Sequence, residues 1–179
     1  MSCLSRRAIL AAIGATLLLS FSASDAVSDA APDTENRKKP ELTSEDLTRR
    51  AEHLFAAIAR AEPDLADDFF FPKGPFLPLK DVADPARYFD QLIATYHRDV
   101  RVLHQARRDW SGAAFASFEL GSPPTWVAPG KEYNRIGYYR TFHGKLAYRV
   151  GEKTHIIDVG TLISWDNRWY VTHLNPIRR

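Results

Sequence analysis

The chain has 179 residues, 45% hydrophobic and 12% aromatic, enough to build one buried core. Its 24 Lys and Arg against 22 Asp and Glu leave a formal net charge of +2. That balance argues against a dedicated nucleic-acid binder, which carries a strong basic excess. The single cysteine, Cys3, lies ahead of the first apolar run, so the chain beyond it offers no disulfide, thiolate metal site or cysteine nucleophile.

Ser5-Arg6-Arg7 precedes an apolar run from Ala8 to Phe21, and small residues follow at Ser22, Ala23, Ser24 and Ala26. A positive start, a run of this length and a small-residue exit form a secretory signal. Ser5-Arg6-Arg7-Ala8-Ile9-Leu10 resembles the twin-arginine signal, which exports folded proteins. The general export route stays open, because Ile9 and Ala11 replace the commoner Phe and Lys of that pattern. The expected signal peptide covers residues 1–26, with a second exit at 30, and implies a periplasmic or secreted chain. An uncleaved anchor is the alternative, and contact with a membrane is expected only through that segment. No later stretch is long and apolar enough to span a bilayer.

Residues 27–42, rich in Ala, Asp, Pro and Lys, read as a disordered spacer. A single α+β domain is expected over 43–179. Thr43 offers an N-cap, and Leu47, Ala51, Leu54, Phe55 and Ile58 form one apolar stripe, so a helix is predicted up to Pro63. Phe69-Phe70-Phe71 is followed by Pro72, Pro75 and Pro78, whose three-residue spacing predicts an extended connector that pins the Phe side chains into the core. An aromatic-rimmed loop over a cleft is the functional alternative. Asp84-Pro85 then opens a second helix, with Phe89, Leu92, Ile93, Tyr96, Val100 and Leu103 on one face, running to about Arg108. His53 reads as a surface histidine, and His97 and His104 as a solvated polar face; no metal site is expected there.

Ala113–Leu120 reads as a short strand. The connection from Gly121 to Asn134 is long and carries Trp126 and Tyr133, as a binding loop or one held down by its own aromatics. From Arg135 the chain predicts three tight hairpins, with turns at His143-Gly144, Gly151-Glu152 and Asp166-Asn167. Two-residue turns place Tyr139 opposite Tyr148, Tyr148 opposite His155, Gly160 opposite His173, Leu162 opposite Val171 and Ser164 opposite Trp169. One face then holds Tyr138, Arg140, Phe142, Asp158 and His173 together.

Two helices followed by an antiparallel meander of about five strands, closing on Thr161-Leu162-Ile163-Ser164-Trp165-Asp166-Asn167-Arg168-Trp169-Tyr170-Val171-Thr172-His173-Leu174, is similar to the NTF2-like (cystatin-like α+β) superfold. The resemblance implies a curled sheet with helices packed on it as a cone. The superfold hosts isomerases, dehydratases, subunit-association domains and proteins without known activity, so fold alone gives no function.

Asp158 with His173 is the sharpest constellation for chemistry, because a carboxylate beside an imidazole raises its basicity and fixes its tautomer. Tyr138 or Tyr148 could supply a hydroxyl to polarise a carbonyl. Phe76, Trp126, Tyr138 and Tyr148 are the candidate ligand-binding residues, and no cofactor is expected. Two expectations follow. One is a non-catalytic exported module that binds a small apolar ligand or an envelope partner protein, with a homodimer among the assemblies open to it. The other is a cofactor-free lyase or isomerase using His173 and Asp158. A structural Asp–His hydrogen bond and cross-strand aromatic packing are the bland counterparts of both.

Overall fold

The computed structural model describes residues 36–107 and 109–176. The expected signal segment lies outside the described residues. The architecture is α+β: three α-helices and a five-stranded antiparallel sheet among the described residues. Helix α1 is Glu45–Arg60, α2 is Lys73–Leu79 and α3 is Pro85–Gln105. The strands are β1 (Ala113–Glu119), β2 (Thr125–Val127), β3 (Tyr138–Val150), β4 (Lys153–Trp165) and β5 (Arg168–His173). No helix among the described residues is long and apolar enough to cross a membrane.

The first helix forms where the apolar stripe predicts it. Leu47, Ala51, Leu54, Phe55 and Ile58 are all buried. The cap is Ser44, not Thr43: its hydroxyl accepts from the Leu47 amide at 3.1 Å, satisfying one of the orphan donors of the first turn. Ala61, in a left-handed conformation, ends the helix. Arg50 on this helix is buried and donates to the Trp169 carbonyl at 2.7 Å, tying α1 to β5. The third helix runs unbroken past Asp99, with Asp84 accepting from the Arg87 amide at 2.9 Å as its cap.

Between these helices the expectation of an extended connector is corrected. Phe69, Phe70 and Phe71 are buried as expected, but Lys73–Leu79 is a helix with Pro78 inside it. Pro75 falls in the first turn, where the missing amide has no partner to lose. The Val171 amide donates to the Phe69 carbonyl at 2.8 Å, and the Phe71 amide to the Val171 carbonyl at 3.1 Å, so the Phe segment docks along the edge of β5. Fully burying one such ring contributes about 1.5–3 kcal/mol.

The sheet order is β1-β3-β4-β5, with β2 pairing β3 beside β1. The last two predicted turns are present. Val150 pairs with Lys153 across Gly151-Glu152, and Trp165 with Arg168 across Asp166-Asn167, both of which have positive φ. The first predicted turn is absent. His143 has positive φ, yet β3 continues through it, so Tyr139 does not face Tyr148. Gly144 serves another need: a Cβ there would meet the Phe118 ring at 2.9 Å and Leu162 at 3.2 Å. The connector at Ser122 laces onto the kink, its amide donating to the Phe142 carbonyl at 3.0 Å and its hydroxyl accepting from the Phe142 amide at 2.9 Å.

Beyond that kink the register is as predicted for Tyr148 with His155, Leu162 with Val171 and Ser164 with Trp169. One pair differs. The ladder shifts between Thr161 and Leu162, so His173 pairs with Thr161 rather than Gly160. Thr172 is the extra residue of a β-bulge. Two residues of the stretch read as a spacer bond to the sheet: Asn36 donates to the Gly137 and Ser164 carbonyls, each at 3.1 Å, and Trp169 Nε1 donates to the Glu41 carbonyl at 3.0 Å.

Candidate functional site

The bulge at Thr172 decides which residues meet. Thr161 and Asp158 are three positions apart on β4, and an odd offset puts them on opposite faces of a strand. Because His173 pairs with Thr161, it faces away from Asp158. A pairing with Gly160 would have set both on one face. The structure therefore does not bring Asp158 and His173 together. Asp158 instead takes a hydrogen bond with His143 at 2.9 Å, on the exposed surface. His173 Nδ1 lies 3.1 Å from the Thr172 hydroxyl.

His173 belongs to a cleft of about 210 Å³ between the sheet and the helices α2 and α3. The cleft is built from alternation. Tyr138, Arg140 and Phe142 stand at every second position of β3, and Ile163 and Thr161 on β4 pair with Arg140 and Phe142. Thr161 carries the row on to His173. Opposite this wall stand Phe76 from α2 and Tyr88 with Leu92 from one face of α3. Phe76 is fully buried at the floor, edge-on to Phe89 at 5.3 Å.

Polar groups converge on this aromatic chamber. Lys80 enters from the end of α2, and its Nζ donates to the Glu132 carbonyl at 3.4 Å. Glu132, on the connection between β2 and β3, accepts from the Tyr138 hydroxyl at 2.8 Å and pairs with the Arg140 guanidinium. That guanidinium lies 4.5 Å over the Phe142 ring. Its Nε is buried and has no hydrogen-bond partner among the described residues. Burial, and secondarily Tyr88, raises the Tyr138 phenol to about 12. Burial lowers the Lys80 ammonium. Burial and then Lys80 lower the His173 imidazole, with Asp99 opposing. His173 is thus neutral at neutral pH, able to donate and accept one hydrogen bond each.

The other candidates lie elsewhere. Tyr148 is buried, stacked on His155 at 5.1 Å, and lines a second groove with Asp158 and Trp110 at the end of α3. Trp126 faces the other side of the sheet, edge-on to Tyr139 at 5.1 Å and against Gly137. Of the six residues singled out from sequence, Phe76, Tyr138 and His173 share the cleft, and Asp158 and Tyr148 share the second groove. Lys80, Glu132 and Arg140 complete the site. Alternation along β3 sets Arg140 on this face, but no local signal marks Lys80 or Glu132.

Asp64, Asp67 and His97 bring ligand-type atoms within 4.8 Å of one another. His97 Nε2 lies 2.6 Å from Asp67, its Nδ1 lies 3.7 Å from Asp64, and both carboxylates are exposed. His104 is likewise engaged, its Nδ1 2.9 Å from the Ile58 carbonyl and its ring stacked on Trp110. Both histidines therefore join α3 to its neighbours, rather than forming the solvated face expected. No protein-family model, curated protein or solved structure matches the chain.

Proposed function

We propose that this chain is an exported small-ligand-binding module of NTF2-like architecture, with the cleft around Tyr138, Arg140 and His173 as its site. The observation that supports the reading is convergence. Side chains from α2, α3, β3, β4, β5 and the connection before β3 meet on one aromatic-walled space with a handful of polar groups. Ligand sites are concave, largely apolar and furnished with a few oriented polar groups. Catalysis by a His173–Asp158 pair finds no support in this geometry, since the two residues line different spaces. The export part of the proposal rests on Ser5-Arg6-Arg7 and the apolar run after it.

A fragment screen by two-dimensional NMR tests the reading. Binding fragments are expected to shift the amide resonances of Phe142, Thr161 and His173. Filling the cleft with Thr161→Tyr is expected to abolish those shifts while circular dichroism stays native. Fragments that shift only the Trp110 and Tyr148 region, or that still bind the filled variant, contradict it. N-terminal sequencing of protein from the cell envelope tests export; an intact Met1 on soluble cytoplasmic protein contradicts it.

A further inference from the structure

Resting on that reading, we propose that the cleft takes a small monocarboxylate with an apolar or aromatic body, its carboxylate held between Lys80 and Arg140. The first argument is charge. Lys80 and Arg140 bring two positive charges to the lining, and Glu132 brings one negative charge. His173 is neutral, for the reasons given above. Asp99, the acid that acts on His173, is matched by Arg98 at 3.1 Å. One positive charge is left without a counterion in a partly dehydrated space. Such a charge is costly until an anion compensates it.

The second argument is donor capacity. An ammonium has three donors, and Lys80 Nζ spends one of them on a long 3.4 Å bond to the Glu132 carbonyl. Arg140 commits its outer nitrogen to Glu132, while its buried Nε–H has no acceptor. A buried donor left unmade is expensive, so this N–H is a place for an acceptor atom from a ligand. A planar carboxylate suits a guanidinium edge, and one unit of negative charge cancels the excess. A dianionic phosphate would overshoot it.

The third argument is shape. Phe76, Tyr88 and Phe142 enclose the rest of the space. Its volume of about 210 Å³ lies below the range of roughly 300–1,000 Å³ for drug-sized ligands. A ring or short branched chain with a carboxylate fits these terms.

Calorimetric titration of the purified full chain with benzoate, benzyl alcohol, benzylamine and phenyl phosphate tests the inference. Benzoate is expected to bind at least about tenfold tighter than benzyl alcohol, the difference expected from a charge-assisted hydrogen bond. Lys80→Met and Arg140→Gln are each expected to weaken benzoate by about 10- to 100-fold and to weaken benzyl alcohol by much less. Glu132→Gln removes the competing anion and is expected to tighten benzoate, which keeps the test decisive should Arg140→Gln fail to fold. Equal affinity for benzoate and benzyl alcohol overturns the carboxylate while leaving the cleft as a binding site. A preference for benzylamine or phenyl phosphate also overturns it. If none of the four probes binds, the carboxylate inference fails, and the NMR screen decides separately whether the cleft binds other fragments.

Discussion

The Tyr138 hydroxyl donates to the Glu132 carboxylate at 2.8 Å, and through this bond the connection before β3 is fixed to the wall of the cleft. Glu132 also holds Arg140, so one carboxylate positions the phenol and the guanidinium together.

Tyr138→Phe is expected to cost about 1 kcal/mol, since the carboxylate keeps its Arg140 partner. The phenol's folded-state value of about 12 lies above its ordinary value of 10.0. The folded chain therefore holds this proton where the unfolded chain has released it, and the associated stability is lost as pH rises from about 10 towards about 12. Ultraviolet titration should show one phenol ionising near 12 that the Phe variant lacks. Identical titration curves for the two proteins would refute the placement.

His173 is predicted to titrate below its ordinary value, because burial and then Lys80 disfavour the cation. The folded value is the lower one. The stability it gives is present above the unfolded value of about 6.5 and is lost as pH falls through the folded value. Proton NMR of the imidazole should show the low value in the native chain and a rise in Lys80→Met. No response to that substitution would separate the two side chains.

Gly144→Ala is expected to destabilise the domain by about 1–3 kcal/mol through overpacking. The added Cβ meets the Phe118 ring at 2.9 Å. Urea unfolding should show the loss, and Phe118→Leu in the same chain should recover part of it. A neutral Gly144→Ala would mean that the kink in β3 yields easily.

Trp126→Ala should leave ligand affinity within about twofold, although an aromatic in a long connection suits ligand binding. Its ring packs on Tyr139 and Gly137, across the sheet from Tyr138. Calorimetric titration with benzoate measures this. A large loss of affinity would move the site to the other face.

The legible parts of this fold were those fixed by local chemistry. Asp84 sits at a helix start, the apolar stripes set α1 and α3, and Asp166-Asn167 and Gly151-Glu152 turn the meander. The illegible parts depend on long-range contacts. Gly144 resembles a turn residue in sequence, but its smallness answers to Phe118 and Leu162, 26 and 18 positions away. Pro75 and Pro78 look extended until Phe76 and Leu79 are buried on one side of a helix. A one-residue bulge at Thr172, invisible in a period-two pattern, moved His173 off the face of Asp158 and into a different site. Glu132 and Lys80 reach that site from a loop and from the end of α2, where no local pattern marks them.

A crystal structure of the chain soaked with benzoate tests the central claim most directly. The account predicts the carboxylate within hydrogen-bonding distance of Lys80 Nζ and Arg140 Nε, with the ring between Phe76, Tyr88 and Phe142. Benzoate in the groove of Trp110 and Tyr148, with the cleft holding only water, would contradict it.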